Sequence, residues 1–457
     1  MAAGAQVRLG PLKQTVALLV VSTLVFACSS GQGSRSPSSP SAAPSPSSPI
    51  SAEWTEYHRD AGRSGVGPSE PALGTPQLAW RASVDGDVYA SPLIVNGHVI
   101  VATENNTVYS LDLFTGSIVW SVHLGDPVDA SSLPCGDIRP VTGITGTPAA
   151  DEASNRLYVS AFLRGAHHLL FALSLTDGSI KWQRQLDPVG SNPVVQQERG
   201  ALAIGSGFVY VPFGGLFGDC GGYHGYVVGV SLDGATASAY QVPSTSGASI
   251  WAPQGPTIGA DGTVYVVTGN ATSGGTDFSN AVIALSADLR SVRWHFAPSN
   301  WQSLNARDVD LGSVGAAVLD NGLVVAIGKE GVAYVLSGGA LRASLKVCSG
   351  AWGGTSWSAS TVFVPCADGL YALQVGDSSI TVGWRAQPRL ASPIISAGVV
   401  WAIEPGSATL FALDASSGRV LYSLGLGSAM HFSTPAATDG FIVAPAGRNV
   451  VALAVVS

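Results

Sequence analysis

Charged residues are scarce in this sequence: Asp, Glu, Lys and Arg together make up 11% of its 457 residues. Acidic residues outnumber basic ones, so the formal net charge is −8 at pH 7, and Lys and Arg form no basic stripe. A surface that binds nucleic acid needs clustered basic side chains to neutralise phosphates. The composition therefore argues against nucleic acid as a partner.

Several familiar signatures are also missing. The sequence contains no phosphate-binding glycine loop, no serine nucleophile elbow and no dense histidine cluster. Its five Cys include no adjacent pair and no Cys-x-x-Cys-His, so covalent c-type haem is not encoded. Among the His residues, we expect His167 and His168 to be a surface pair at a strand end. We expect His224 to be either a site residue or a loop residue with its hydrogen bonds satisfied.

Long apolar runs are missing as well. The clearest one, residues 16–27, follows Arg8 and Lys13 and is shorter than the ~20 residues of an ordinary membrane span. A basic start and a short apolar core are typical of a signal peptide. The run ends at Cys28 and resembles the bacterial lipobox, in which such a Cys is lipidated after cleavage. We predict a lipoprotein signal peptide over residues 1–28; the alternative is an ordinary secretory signal with a chance Cys.

Residues 29–52 consist largely of Ser, Pro, Gly and Ala. This composition cannot form a packed core and predicts an extended tether. Together with Cys28, the tether predicts a folded body, residues 53–457, that is lipid-anchored to the cell membrane on its extracytoplasmic side. We expect this body to be a monomer.

Glycine, by contrast, is abundant, with 56 residues, and it punctuates a repeat. Residues 91–120 read as three short strands and the start of a fourth, separated by Asn-Gly, Asn-Asn and Thr-Gly turns. The predicted strands are 93–95, 98–103, 107–111 and 117–120. One such unit cannot bury both of its faces, so it requires neighbours.

The third strand of this unit recurs through the chain. Its eight copies lie at 108–111, 170–173, 227–230, 282–285, 333–336, 370–373, 410–413 and 450–453. A Gly followed four residues later by Trp or Tyr also repeats, as in Gly116 and Trp120. A period near 40 residues with four strands is typical of a propeller blade. We predict an all-β, eight-bladed β-propeller of four-stranded blades.

The last repeat ends with the chain and lacks an outer strand of its own. Residues 78–81 resemble the outer strands of the other blades. We predict that this N-terminal strand completes the last blade, because closure of the ring leaves no exposed strand edge.

Four Cys remain in the folded body, and an exported location permits disulfides. Four Cys allow three pairings. Cys348 and Cys366 flank neighbouring strands of the sixth repeat, and Cys135 and Cys220 lie in the long loops of the second and third. We predict the bridges Cys135–Cys220 and Cys348–Cys366.

The second to fifth repeats are longer than the later ones because of loop insertions. Loops on a rigid scaffold commonly carry function. The alternative is that these insertions only elaborate the surface.

Across residues 54–453 the repeats resemble those of pyrroloquinoline quinone (PQQ) repeat proteins. That superfamily includes the quinoprotein alcohol dehydrogenases. It also includes the propeller lipoprotein of the bacterial outer-membrane barrel-assembly machinery, which is not an enzyme. Both are eight-bladed, and the repeat alone does not separate them.

Local matches to the quinoproteins imply a cofactor site. Ile250-Trp251 and residues 263–270 resemble a segment whose Trp is the floor under the quinone and whose Asn is a calcium ligand, which implies these roles for Trp251 and Asn270. The segment 329–331 resembles a Lys-x-Gly motif whose cation contacts the quinone oxygens, which implies this role for Lys329.

Two further segments complete the implied site. Asp308-Val309-Asp310 resembles a Trp-Asp-x-Asp motif whose first Asp is the catalytic base, which implies this role for Asp308, although Arg307 stands in place of the Trp. Residues 216–225 replace a Glu ligand and an adjacent Cys pair and offer Asp219 as a second calcium ligand. The implied cofactors are PQQ and calcium.

The chemistry of such a site is coherent. A flat quinone needs an aromatic surface to stack on, a calcium ion needs several oxygen donors, and a carboxylate must accept the alcohol proton. Each residue also has a structural interpretation: Trp251 as core, Asn270 as a turn residue, Asp308 and Asp310 as solvated loop acids, and Lys329 as a turn cation.

Two hypotheses follow. The first is a PQQ-dependent oxidoreductase that acts on an alcohol or a sugar. The second is a catalytically silent propeller that binds an envelope protein or another surface partner through the loops of the second to fifth repeats. The first requires Trp251, Asn270, Asp308 and Lys329 to meet in one pocket near the ring axis.

Overall fold

Each of the eight sequence repeats forms a four-stranded antiparallel sheet, and the all-β, eight-bladed prediction is confirmed. The computed structural model describes residues 53–67, 74–438 and 440–455. The predicted signal peptide, the lipidation site Cys28 and the tether lie outside the described residues. We number the blades 1 to 8 in the order of their third strands along the chain.

The strands of each blade follow one another from the ring axis outwards. They are Leu93–Val95, His98–Ala102, Thr107–Asp112 and Ile118–His123 in blade 1; Ala149–Asp151, Arg156–Leu163, His167–Ser174 and Ile180–Gln185 in blade 2; Ala203–Gly205, Phe208–Gly215, Tyr226–Ser231 and Ala237–Gln241 in blade 3; Thr257–Ile258, Val264–Val267, Val282–Leu285 and Val292–Phe296 in blade 4; Ala317–Val318, Val324–Ile327, Val332–Ser337 and Ala340–Lys346 in blade 5; Ser356–Ser358, Thr361–Cys366, Gly369–Gly376 and Ser379–Ala386 in blade 6; Ile394–Ser396, Val399–Glu404, Thr409–Asp414 and Val420–Gly425 in blade 7; and Ala436–Thr438, Phe441–Pro445, Asn449–Val455 and Pro76–Ser83 in blade 8.

The ring closes as the sequence predicted. Pro76–Ser83 pairs antiparallel with Asn449–Val455, and Leu78 lies opposite Leu453. The first described strand thus supplies the outer strand of the last blade and satisfies an edge that would otherwise be open.

Burial explains the sequence pattern of the strands. Third strands such as Thr107–Asp112 are buried along almost their whole length, because blades pack face to face. The outer strand Ile118–His123 alternates between exposed and half-buried residues. The core clusters join adjacent blades: Ile100 of blade 1 shares one cluster with Val159 and Phe171 of blade 2.

The repeated Gly and Trp form a contact between blades. A Cβ atom at Gly178 of blade 2 would lie 2.6 Å from Cε3 of Trp120 in blade 1. The Trp120 indole N–H also donates to the Leu175 carbonyl, at 3.0 Å. Trp80 and Gly116 make the equivalent contact across the closure of the ring. The Gly-to-Trp spacing thus serves packing against the neighbouring blade.

The segment before the first strand, residues 53–67, runs across the inner strands of many blades. Trp54 forms a bridge with Ile94 of blade 1, and Thr55 accepts from the Ala150 N–H of blade 2. Further along the segment, backbone hydrogen bonds reach Ile258 of blade 4, Trp357 of blade 6 and Ile395 of blade 7. We call this segment the axial strap. It ties together neighbouring blades and blades on different sides of the ring.

Both predicted disulfides are present. Cys135 and Cys220 are bridged with a Cα–Cα distance of 6.2 Å, and Cys348 and Cys366 with 6.3 Å. The first bridge joins the long loops of two blades.

The insertions of blades 1 to 5 carry short additional elements. They are the strands Val128–Asp129, Val141–Thr142, Gln196–Gln197, Ser246–Gly247 and Ala271–Ser273, the 3-10 turns Ala130–Ser132, Pro193–Val195 and Leu311–Ser313, and the α-helix Trp301–Ala306. Within the described residues no helix has the length and apolar character needed to span a bilayer.

Candidate functional site

Two sets of loops build a cavity of about 560 Å³ at one end of the ring. The loops that lead into the inner strands and those that join second to third strands lie at the same end, because the strands alternate in direction. The cavity is lined by Asp137, Arg199, Gly215, Leu216, Phe217, Gly218, Asp219, Tyr223, Ser249, Trp251, Asn270, Asp308, Asp310, Lys329, Trp352, His431 and Phe432.

The structure brings together every residue that the resemblance assigned to cofactor, metal or catalysis. Trp251, Asn270, Asp308, Lys329 and Asp219 all line this one cavity. The convergence that the enzyme hypothesis requires is therefore present, although their chemical roles stay predictions. Trp251 is half-buried at the cavity wall, so it is not a core residue.

Lys329 is the centre of a charged cluster. Its Nζ atom lies 2.7 Å from Asp310 Oδ2 and 3.2 Å from Asp308 Oδ1. The ammonium also lies 5.7 Å from the centre of the Trp251 ring. The Asn270 N–H donates to the other oxygen, Asp310 Oδ1, at 2.6 Å. Three of the five loops that carry the implied site are thus joined through Asp310.

The alternative interpretation of Asp310 as a solvated loop acid is wrong. Its side chain is 5% exposed, whereas that of Asp308 is 61% exposed. Burial raises the pKa of the Asp310 carboxyl, and the Lys329 ammonium opposes that rise. Burial alone would lower the pKa of Lys329, but the Asp310 and Asp308 carboxylates together outweigh it and raise that pKa above its usual value. The mutual attraction of the two groups thus opposes the effect of burial on each of them.

A glycine makes this cluster sterically feasible. A Cβ atom at position 269 would lie 2.7 Å from Asp310 Oδ1 and 3.2 Å from the indole nitrogen of Trp251. Any side chain there would displace one of them. Packing therefore explains why glycine stands at position 269, independent of any ligand.

A second charged cluster lines the same cavity, on the loops that lead into blades 2, 3 and 8. Arg199 Nη2 lies 2.8 Å from Asp137 Oδ1, and His431 Nε2 lies 3.6 Å from Asp137 Oδ2. Burial lowers the pKa of His431, and the nearby Arg199 guanidinium lowers it further. Sequence reasoning missed these residues, because they lie on loops of three different repeats and match no motif.

Aromatic side chains form much of the remaining wall. Trp251 and Phe432 lie with their ring centres 6.2 Å apart, and Trp352 also lines the cavity. Phe432 has a φ of 64°, a left-handed conformation that is costly for a bulky residue. The loop between blades 7 and 8 therefore holds this ring in the cavity against backbone strain.

Asp219 receives a hydrogen bond from the Tyr223 hydroxyl. Tyr223 is buried, and burial raises its pKa, as does the adjacent Asp219 carboxylate. The hydroxyl therefore remains a hydrogen-bond donor to Asp219 at neutral pH.

The structure decides between the interpretations of two histidines, His168 and His224. His168 is not a surface residue: it is 1% exposed, and its Nδ1 atom lies 2.8 Å from Asp187 Oδ1, so that prediction is wrong. His224 exchanges hydrogen bonds with the Gln196 side chain through its own backbone and is not among the cavity-lining residues. It is a loop histidine.

The implied calcium ion does not fit these donors as they are arranged. Calcium takes about six to eight oxygen ligands. Both oxygens of Asp310 are engaged, by Asn270 and Lys329, and Oδ1 of Asp219 accepts a hydrogen bond from Tyr223. Within the described part of the chain, the one group of three acidic, Cys or His ligand atoms lying within 4.8 Å of one another is Cys348, Cys366 and Asp368, whose two Cys are bridged.

Charge also opposes PQQ, which carries several carboxylates. Four carboxylates line the cavity, against the two cations Arg199 and Lys329, so negative charge is in excess by two. Both cations are already paired with cavity carboxylates. A strongly anionic ligand without its metal would therefore meet repulsion.

Comparison with known proteins agrees with the repeat and the fold. The family model described as outer membrane protein assembly factor BamB, a PQQ-repeat model, matches residues 72–140. No curated protein matches the chain by sequence.

Solved structures resemble the propeller at low sequence identity. Quinohemoprotein alcohol dehydrogenase ADHIIG from Pseudomonas putida HK5 has a TM-score of 0.72 and 14% identity, over 88% of this chain and 80% of that one. A europium-containing methanol dehydrogenase has a TM-score of 0.70 and 15% identity, over 86% and 89% of the two chains. BamB from Moraxella catarrhalis has a TM-score of 0.56 and 16% identity, over 83% and 98%.

The likenesses to solved structures confirm the eight-bladed propeller fold, and the match over residues 72–140 supports the predicted resemblance to PQQ-repeat proteins. Because the sequence identities are low, the structural likenesses show the fold alone. The activity of this chain depends on the residues of its own site.

Proposed function

We propose that this PQQ-repeat propeller binds a small polyhydroxylated molecule, a sugar or polyol without negative charge, in its axial cavity. The observation that carries the proposal is the lining of the cavity, in which aromatic rings stand beside an excess of carboxylates. Such a cavity offers apolar surface to a ring and many acceptors to hydroxyl groups.

The polar groups favour a ligand rich in hydrogen-bond donors. Asp308 is largely exposed, and Asp219 is exposed at the cavity mouth. An ionised carboxylate accepts hydrogen bonds and donates none, and charge-assisted bonds of this kind are stronger than neutral ones. A hydroxylated ligand supplies the matching donors, whereas an anionic ligand does not.

The aromatic groups favour a ligand with an apolar face. Trp251 and Trp352 are half-buried, and each lines the cavity. Stacking a sugar ring on an indole removes apolar surface of both from water at little conformational cost, because the indoles are already fixed by packing. The indole N–H remains available as a donor.

A quinoprotein-type dehydrogenase of alcohols or sugars is the second candidate. The convergence of Trp251, Asn270, Asp308 and Lys329 in the cavity favours it. The engaged calcium donors and the excess negative charge oppose it. When bound, PQQ would supply the redox chemistry. Here Lys329 is held by two aspartates, so no proton or electron transfer step is assigned to these residues.

We also propose that the protein is an exported lipoprotein that faces the outside of the membrane. The short apolar run, the Cys28 that follows it and the Ser- and Pro-rich tether support this location. The two disulfides suit an oxidising compartment. Substituting Cys28→Ala should move the protein from the membrane fraction to the soluble exported fraction. Retention in the membrane would contradict lipidation.

The test of ligand binding uses saturation-transfer NMR on the body from residue 53 onward, whose strap and ring lie in one compact unit, residues 50–457. The probes are a panel of monosaccharides and polyols in neutral, amino and uronate forms, with PQQ in calcium buffer as a separate arm. We expect neutral or amino forms to bind and the matching uronates to bind at least about tenfold more weakly, a difference of ~1.4 kcal/mol.

Other outcomes distinguish the alternatives. Saturable binding of PQQ with calcium, and of no panel member, would overturn the proposal in favour of the dehydrogenase. No binding by any probe would overturn both and favour a propeller that binds an envelope protein.

A further inference from the structure

The ammonium of Lys329 sits where three loops meet. It contacts one carboxylate oxygen of Asp310 and one of Asp308, and it also contacts the backbone carbonyl oxygen of Asp308 at 3.3 Å. Its side chain is 19% exposed, so most of its surroundings are protein. Three oxygen atoms from two residues thus face one positive charge.

The same oxygen atoms are those that a divalent cation would need. The resemblance implies that Asn270 is a metal ligand and that Asp308 is the base that accepts the alcohol proton. In the structure, Asp310 lies on the loop of Asp308 and accepts a hydrogen bond from the Asn270 backbone. The Asn270 backbone N–H points at one Asp310 oxygen and Lys329 at the other. A cation placed among these carboxylates would have to displace the ammonium or lie beside it.

We propose that the Lys329 ammonium is a built-in cation that takes the place of a divalent metal ion in this cavity. The ammonium and a divalent ion compete for the same carboxylates and repel each other at short range. The cavity therefore takes its ligand without a metal. This inference concerns the cation alone and does not depend on which organic ligand binds.

Removing the ammonium should convert the cluster into a metal site. Lys329→Met keeps the length of the side chain and leaves two carboxylates and the Asn270 amide oxygen on the same wall of the cavity. These are hard oxygen donors of the kind that calcium and lanthanide ions prefer. The substitution should therefore create affinity for a cation that the natural chain lacks.

The experiment is a terbium(III) titration followed by tryptophan-sensitised luminescence, since Trp251 is adjacent to the cluster. We expect Lys329→Met to bind terbium at least about tenfold more tightly than the natural chain. Adding Asp310→Asn to Lys329→Met should remove that gain. Lys181→Met, on an exposed outer strand, is the matched control and should bind terbium like the natural chain.

The result that overturns the inference is saturable terbium binding by the natural chain that Asp310→Asn removes. A folded Lys329→Met protein with no gain in terbium affinity would overturn it equally. If Lys329→Met fails to fold, the inference is tested on the natural chain alone. Its melting temperature is then expected to be the same in calcium and in chelator. Sugar binding is measured separately, so failure of the proposed ligand leaves this test intact.

Discussion

The Nη1 atom of Arg63 lies 3.2 Å from Glu56 Oε2, with the Arg63 side chain fully buried and that of Glu56 7% exposed. Both residues belong to the axial strap. Arg63 also donates from Nε to the Pro256 carbonyl of blade 4 and from Nη2 to the Leu202 carbonyl of blade 3, at 3.1 and 2.7 Å. One buried guanidinium thus joins the strap to two blades, and its loss should destabilise the whole ring.

Arg63→Met should lower the free energy of unfolding by about 3 to 5 kcal/mol, because it leaves a buried carboxyl and three carbonyls, those of Tyr57, Leu202 and Pro256, without their partner. Adding Glu56→Leu should recover part of the loss, since the uncompensated carboxyl is then gone. Denaturant unfolding of both variants measures this. Arg342→Met, on an exposed outer strand, is the control and should change little. An equally small effect of Arg63→Met would contradict the role of the strap.

Glu104 should make stability depend on pH. It is buried, only its Oε2 accepts a hydrogen bond, and burial raises its pKa to about 7. Because this pKa is higher in the folded than in the unfolded chain, its stabilising contribution is complete below about pH 4.5. The contribution is lost as pH rises through about 7.

The difference in stability between the natural chain and Glu104→Gln reports this effect together with its coupling to Glu198, because the charge on Glu104 helps to raise the pKa of that buried carboxyl. We expect the natural chain to lose up to about 3 kcal/mol relative to the variant between about pH 5 and pH 8. Urea unfolding at a series of pH values measures it. A difference that does not change with pH would mean that Glu104 is not held in its neutral form.

The contact between blades predicts a steric cost at glycine turns. Gly178→Ala should destabilise the protein, because its φ of 70° suits glycine and a Cβ atom would press on Trp120. Gly190→Ala shares the positive φ, of 86°, but would meet nothing within 4 Å. We expect a loss of ~1 kcal/mol from the backbone alone and a further ~1 to 3 kcal/mol from overpacking at position 178. Equal shifts of the melting temperature in the two variants would show that the contact with Trp120 adds no steric cost.

Much of the fold could be predicted from the sequence because the repeat is local. Turns such as Asn96-Gly97 and the alternation of buried and exposed residues fix each hairpin within about 30 residues, and eight similar units require a ring. The strand that closes the ring was predictable because Trp80 repeats the outer-strand pattern of the other blades.

The axial strap and half of the cavity could not be predicted in this way. Arg63 meets Pro256 across 193 positions, and nothing near either residue encodes that contact. Asp137, Arg199 and His431 likewise meet only because the ring brings their loops together. Asp310 is the second Asp of a segment that resembles a known motif, but its contacts are with Lys329 and Asn270 of neighbouring loops.

Asp308 should contribute to the discrimination against anionic ligands. Its exposed carboxylate adds negative charge to the cavity and holds the Lys329 ammonium at 3.2 Å. Asp308→Asn removes that charge and leaves Lys329 more available, so the affinity for uronates should rise severalfold while neutral sugars change less. Competition titrations with a matched neutral and uronate pair measure this. A uniform loss for both probes would instead mark Asp308 as a direct contact of the sugar.

The central claim is that the cavity recognises a neutral polyhydroxylated ligand on an aromatic wall. It is tested most directly by calorimetric titration of the best neutral probe, its uronate and PQQ with calcium into the natural chain and Trp251→Ala. The account predicts saturable binding of the neutral probe, binding of the uronate at least about tenfold weaker, and loss of the neutral binding in Trp251→Ala. Saturable binding of PQQ with calcium, from a protein that binds no neutral probe, would contradict it.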